Sequence, residues 1–156
     1  MAAMSDFLEN KIIDFLLRGQ ALGITGATAA AGTGPTALFV ALYTANPTDG
    51  AGGTEVTGGS YARVSVTSAL AAWAGTQAAA SVLASSGASG TTSNNGAITF
   101  PAPTASWGVI TGTGVFDAAT GGNMLFYGAL TISKTINNGD AAPVFSAAAL
   151  SFQIDN

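Results

Sequence analysis

Two carboxylates flanking a glycosidic bond, one donating a proton and the other serving as base or nucleophile, are the one catalytic device for which this chain has suitable residues. The candidates are Asp49, Glu55, Asp117 and Asp140. Histidine and cysteine are both absent. That removes Ser-His and Cys-His nucleophile pairs, the usual zinc sites, disulfides and the commonest general base. Asp49, Asp117 and Asp140 each stand in a turn sequence, where aspartate is favoured for its short side chain and local hydrogen bonds. Glu55 lies in the glycine-rich run AGGTEVTGGS, a poor place for preorganised geometry. The residues therefore favour a protein that is not an enzyme. Calcium would need several oxygen donors close together, and the twelve-residue acidic loop is missing; NPTDG and NNGD offer only weak oxygen sites. No cofactor is expected.

A second chemical possibility sits at FDAATGGNMLFYGAL, residues 116–130. Consecutive glycines can bring backbone N–H groups up to a phosphate, but only where a helix begins at them. Here strand-like sequence lies on both sides, and Gly122 is followed by Asn123 and Met124 in place of the Lys and Ser or Thr of a phosphate loop. The pair reads as a hairpin turn. A third possibility is a sugar-binding surface, with Tyr61, Trp73 or Trp107 stacking on saccharide rings from loops; the competing reading is that these aromatics fill the core.

These residues need a scaffold, and the composition says which kind. The 156 residues suffice for one domain with its own core. Alanine alone supplies 32 of the residues behind the 48% hydrophobic content, and 21 glycines with abundant Thr, Ser and Asn suit thin, close-packed sheets. Only 8% of residues are charged, Lys plus Arg 4 against Asp plus Glu 8, for a net charge of −4. Nucleic-acid binding is excluded for want of clustered basic residues, and no polybasic patch suits a lipid surface. A surface so poor in charge fits one covered by partners or copies of itself, or one dressed in Ser, Thr, Asn and Gly. The N-terminus has acids where a secretory signal needs a basic region, and no later stretch has about 18 uninterrupted apolar residues, so no membrane span is expected.

One convincing helix is predicted over 6–18, with Asp6 as N-cap, Glu9 three places on and Gly19 as the stop. Leu8, Ile12, Phe15 and Leu16 form an apolar stripe, and Phe7, Ile13 and Leu17 widen the apolar surface well beyond it, while Lys11, Asp14 and Arg18 fall on the opposite side. Five of the chain's twelve charges lie in these first 18 residues. Residues 1–20 thus read either as a docking segment whose contacts are Phe7, Leu8, Ile12, Phe15 and Leu16 or as a helix that packs over its own sheet, residues 21–35 as a Gly/Ala/Thr linker, and 36–156 as a β domain. Alternation marks strands at ALFVALYT and YARVSVT, the latter with Tyr61, Arg63 and Ser65 on one face. GAITF, WGVITGTGVF with Trp107 as an anchor, MLFYGAL, TISKTI and a final strand around Leu150, Phe152 and Ile154 follow. Residues 69–93 are ambiguous between helix and strand, with two short strands favoured. The fold class is mainly β, an antiparallel sandwich or jelly-roll-like domain with an N-terminal amphipathic helix. Asp49, Glu55, Tyr61, Asp117, Asn123 and Asp140 are placed in exposed loops.

The order of the motifs LYT-x-NPTD, GGSYAR, TASWG and FDAATGGN, together with the opening SDFLENKIIDFLLRGQ, resembles a family of tailed-bacteriophage virion proteins labelled tail-fibre proteins, across nearly the whole chain. The resemblance implies a structural component of the virion, assembled in the bacterial host cytoplasm, and brings no catalytic motif. A chain without a shaft of repeats or coiled coil suits a capsid decoration or cement protein clipped on by its N-terminal segment. It would form a homo-oligomer, a trimer by the symmetry of capsid lattices, with the major capsid protein or a tail protein as partner. The alternative is a tail-fibre or tail-appendage subunit that binds a host surface glycan.

Overall fold

The computed structural model describes residues 4–23, 34–49 and 52–154. The protein is mainly β, with antiparallel strand pairs and one short helix near the N-terminus, as the alternating patterns predict. Its described residues form two compact units. One is drawn from the chain up to Ala37, from Thr67–Ile98 and from Phe145 onward; the other from Leu38–Val66 and Thr99–Val144. Most of the linker assigned to 21–35, residues 24–33, lies outside the described residues.

In the first unit, helix α1 (Asp6–Arg18) ends at Gly19 in the left-handed conformation, φ 65°, as its terminal glycine predicts. The N-cap is Ser5, one residue earlier than expected: its Oγ accepts from the Leu8 amide, and Asp6 instead supplies a first-turn negative charge. The faces of α1 are the larger correction. Ile13 and Leu17 are fully buried, worth roughly 2–3 kcal/mol each. Beside them Glu9, Asn10, Asp14 and Arg18 are buried too, so a large part of the expected solvent side points inward. Leu8, Ile12, Phe15 and Leu16 are only half-buried, and Phe7 is 57% exposed.

What draws the polar side inward is the segment that follows Trp73. Arg18 is fully buried and all five of its N–H donors are placed: Nε on the Trp73 carbonyl (3.0 Å), Nη1 on Asp14 Oδ1 (2.6 Å) and Ser85 Oγ (3.0 Å), Nη2 on the carbonyls of Ser81 and Leu83. Asp14 accepts in turn from the Ser85 amide (2.9 Å) and hydroxyl (2.6 Å). One turn earlier, Asn10 donates to the Gly87 carbonyl at 2.9 Å and accepts from the Thr76 hydroxyl. The expected pair of strands in 69–93 is therefore mostly absent: Trp73 makes a single bridge to Asn94, β4 is only Thr91–Ser93, and the residues between run irregularly. Helix side chains do there what a strand ladder would otherwise do for the backbone.

β4 pairs antiparallel with β9 (Ser151–Gln153), Thr92 opposite Phe152. Trp73 is fully buried, 5.6 Å from the Phe152 ring, and Asn94 ties the corner by donating to the carbonyls of Gly96 and Ser146 and accepting from the Leu150 amide.

The second unit is a sheet of order β2-β1-β6-β7, made from β1 (Ala37–Ala45), β2 (Thr54–Glu55), β6 (Gly108–Phe116) and β7 (Met124–Ile136). β3 (Val64–Thr67) also pairs with β1, whose opposite edge is taken by β6, so β2 and β3 share one edge. Two further short strands, β5 (Ile98–Thr99) and β8 (Val144–Phe145), lie where the chain passes from one unit to the other. β1 is buried along both faces, Leu38, Val40 and Leu42 alternating with Ala41 and Tyr43, as its doubly apolar pattern predicts. Gly114 of β6 lies under the Tyr43 ring, where a Cβ would come within 3.1 Å. The two strands expected at MLFYGAL and TISKTI are one continuous strand, β7, with a bulge at which Thr111 of β6 faces four residues of β7, 130–133. Ile132 stands on this bulge at 81% exposure.

Candidate functional site

The site grows from an interrupted edge. After Glu55 the chain leaves β1, turns through Gly58, Gly59 and Ser60, all at positive φ (71°, 54° and 63°), and rejoins β1 at β3. The departure would leave the Leu42 amide without a strand partner. Tyr61 supplies one: Leu42 N donates to the phenol oxygen at 2.9 Å, while the Leu42 carbonyl accepts from Val56 N at 3.0 Å. The phenol donates onward to Glu55 Oε1 at 2.9 Å. Its ring stacks with Phe100 at 6.4 Å and meets Trp107 edge-on at 5.4 Å. Burial, and then the neighbouring Glu55 carboxylate, push the Tyr61 phenol far above its ordinary range against the opposing Leu42 hydrogen bond, so it is a neutral structural donor.

Arg63, two residues on and like Tyr61 just ahead of β3, which is shorter than the strand expected from Tyr61, completes the network. Its Nε and Nη2 grip Glu55 Oε1 and Oε2, each at 2.8 Å, in the fork geometry that matches a carboxylate. Its Nη1 reaches the carbonyls of Ala118 (2.9 Å) and Gly121 (2.8 Å) in the β6–β7 loop, and the guanidinium lies 3.5 Å from the Phe116 ring centre. The hydrogen bonds to Glu55 raise the Arg63 pKa further, against a smaller opposing effect of burial.

The β6–β7 loop is the hairpin that the Gly-Gly sequence predicts, Gly121 and Gly122 having φ 60° and 72°. It is closed by Asp117, which accepts from Asn123 Nδ2 at 2.8 Å and from Asn123 N at 2.7 Å. These two bonds, the side-chain one first, hold the Asp117 carboxyl below its ordinary 3.8. A depressed folded-state value makes the contribution to stability present above the ordinary value and lost as pH falls through the folded one. We expect the Asn123 amide to lose hydrogen-exchange protection with a midpoint below pH 3.8, and Asp117→Asn to abolish that dependence. An NMR titration checks it; a midpoint above 3.8 would refute the assignment.

Of the residues expected in exposed loops, the structure thus joins Glu55 and Tyr61 directly and brings the Asp117–Asn123 loop to them through Arg63. Glu55 is not in a free loop: it belongs to β2, opposite Tyr43. Asp49 is exposed in a turn, and Asp140 closes its own turn by accepting from the Asn137 amide at 2.7 Å. Arg63 was the missing residue; the spacing Tyr-x-Arg on one strand face was the signal. Among the described residues no three His, Cys, Asp or Glu side chains gather in a way that could hold a metal ion. Of the two readings of the tryptophans, the structure gives the core one: Trp73 is fully buried, and Trp107, the expected anchor, is 5% exposed with its Nε1 donating to the Gly59 carbonyl at 2.9 Å.

The network walls a groove of about 480 Å³ lined by Glu55, Thr57, Gly58, Tyr61, Arg63 and Thr120 among others. Its carboxylate is bound on both oxygens by one guanidinium. Among the described residues no helix is long and apolar enough to cross a membrane. No curated protein matches the chain. Residues 3–153 match the family described as Podophage GP4 fiber I protein gp80, and the motifs GGSYAR and FDAATGGN that build this site lie within that span. The chain belongs to that family of phage tail-fibre-type virion proteins.

Proposed function

We propose that this protein is a non-catalytic structural subunit of the phage particle, held to a neighbouring virion protein by the apolar flank of α1. The observation that carries the reading is the inversion of the helix. Its charged residues Asp14 and Arg18 are spent inside the first unit, while Phe7, Leu8, Ile12, Phe15 and Leu16 are left half-buried or exposed. A helix anchored through Ile13 and Leu17 together with its buried polar residues leaves an apolar flank in a fixed orientation, as a helix-in-groove contact requires. The occupant is an apolar groove of another virion protein.

Replacing Phe7 by Asp, or Ile12 and Phe15 together, should cost particle incorporation by about tenfold or more, since a buried charge without a partner costs several kcal/mol at an interface. Phe7→Asp is the cleaner probe because that ring is already largely in solvent. Purified particles of the variant phage, blotted for this protein, give the answer. Full occupancy with a folded variant would reject α1 as the clip.

Two placements are supported by different observations. The family's description as a fiber protein supports a tail appendage. Two compact units, with no shaft or coiled coil among the described residues, support a capsid decoration. Self-association, as a trimer on a capsid lattice, is part of the second reading, and the exposed Ile132 on the β7 bulge suits a contact between copies. Copy number per particle separates them: parity with the major capsid protein means the head, a small number means the tail.

A further inference from the structure

We propose that Asn95–Gly96 is a self-modification site, where the chain slowly converts its own asparagine to aspartate and isoaspartate, and that the fold shields the matching Asn138–Gly139 from the same reaction.

The sequence Asn-Asn-Gly occurs twice, at 94–96 and at 137–139. Asparagine before glycine is open to this chemistry because no side chain screens the following amide nitrogen. That nitrogen, once its proton has passed to hydroxide, attacks the asparagine Cγ. The new C–N bond expels Nδ2 as ammonia and leaves a cyclic succinimide. Water then opens the ring, giving aspartate at one carbonyl and, at the other, isoaspartate with the main chain rerouted through the side chain. Water is the only reactant consumed. Ring closure requires the peptide between the two residues to swing toward the side chain, so whatever holds that peptide sets the rate.

At Asn138 the peptide is held. Asn138 and Gly139 are the central residues of a turn closed by the Asp140 amide on the Asn137 carbonyl at 3.2 Å, and of the two only Gly139 has positive φ, 79°, the type II combination. Gly139 N donates to the Pro103 carbonyl at 3.0 Å, and Asp140 Oδ2 accepts from Asn137 N at 2.7 Å. The attacking nitrogen must therefore leave a hydrogen bond and rotate out of a turn that is fastened twice.

At Asn95 the tethers surround the peptide and miss it. Asn94 N donates to the Leu150 carbonyl (3.1 Å), the Asn94 carbonyl accepts from Ala148 N (2.7 Å), and Asn95 N donates to the Ala72 carbonyl (2.8 Å). The Gly96 carbonyl accepts from Asn94 Nδ2 at 2.7 Å. Among the described residues, neither the Asn95 carbonyl nor the Gly96 amide makes a hydrogen bond. Gly96 is exposed, and a Cβ placed on it would meet nothing within 4 Å, so hydroxide and water reach its nitrogen. The departing amide is held only by a long bond from Nδ2 to the Leu70 carbonyl, 3.4 Å, and the buried Oδ1 accepts none.

The product bears on the first unit. A carboxylate at 95 cannot donate to Leu70 and puts charge where Oδ1 is buried. Isoaspartate also inserts an extra carbon into the main chain beside Asn94, which ties this corner to Ser146 and Leu150. The corner therefore loosens as the protein ages.

The test is to age the full chain in warm, mildly alkaline heavy-oxygen water and to map its peptides by mass spectrometry, beside a sample kept unfolded in denaturant. In the folded chain Asn95 should take up label at least about tenfold faster than Asn138, whose reaction must first give up hydrogen bonds. In the unfolded chain the two should react at similar rates. Gly96→Ala, at a position with room for the methyl and no positive φ, should fold as the parent does and slow Asn95 by about tenfold or more. Asn95→Asp should lower the thermal midpoint followed at Trp73 by about 4 °C or more. The proposal is overturned if folded Asn138 reacts as fast as Asn95, if the unfolded chain shows the same preference, or if Gly96→Ala changes nothing. An unshifted midpoint in Asn95→Asp would overturn the loosening.

Discussion

An Arg18→Ala chain should lose about 3–5 kcal/mol of stability, seen as a fall of roughly 10 °C in thermal midpoint. The side chain is fully buried and the substitution strands the Asp14 carboxylate beside it. It also removes the donors held by the Trp73, Ser81 and Leu83 carbonyls, which lie in an irregular segment with no ladder to replace them. For that reason the usual remedy for a buried ion pair should fail here. Replacing both partners by apolar residues, Asp14→Leu with Arg18→Met, is often neutral where the pair serves only itself. In this unit it leaves the three carbonyls and the Ser85 amide without those partners, so we expect less than half of the loss to be recovered. Denaturation followed by Trp73 fluorescence in a Trp107→Phe background isolates this unit. A loss below about 1 kcal/mol for Arg18→Ala would show that the clamp is dispensable.

Arg63→Met should cost about 2–3 kcal/mol, less than Arg18→Ala because Glu55 is partly exposed and water compensates it. Methionine keeps an apolar stem over the Phe116 ring but no fork. The Ala118 and Gly121 carbonyls then lose their donor and the 117–123 loop should open, with exchange at Asn123 rising together with that at Leu42. Arg63→Lys should rescue little, since a compact ammonium cannot meet two carboxylate oxygens and two carbonyls at once. Equal protection at both amides in Arg63→Met would mean that the loop and the Tyr61 bridge are held by something else.

These two arginines show how far the sequence could be followed. The helix, its glycine stop, the buried strand at 37–45, the strand at 108–116 and the hairpin glycines were all legible, because each is a local pattern: period 3.6, period 2, or positive φ at a turn. The Tyr61–Arg63 face was legible as a face, but its partner Glu55 was not, because a glutamate between glycines carries no local sign that a short strand will fix it.

The apolar stripe was read from spacing alone, which assigns the polar residues to solvent by default. Spacing decides which side chains share a side of a helix, and it did so correctly for Asp14 and Arg18. Which side turns inward depends on acceptors that the chain returns from some 55 to 67 residues away, at Trp73, Ser81, Leu83 and Ser85. Burying an arginine is tolerable only when every N–H finds an oxygen, and those oxygens exist only once the distant segment has been laid along the helix. Periodicity and turn chemistry thus determined the elements of this phage protein, and tertiary hydrogen bonding decided which of their surfaces remained to meet other molecules.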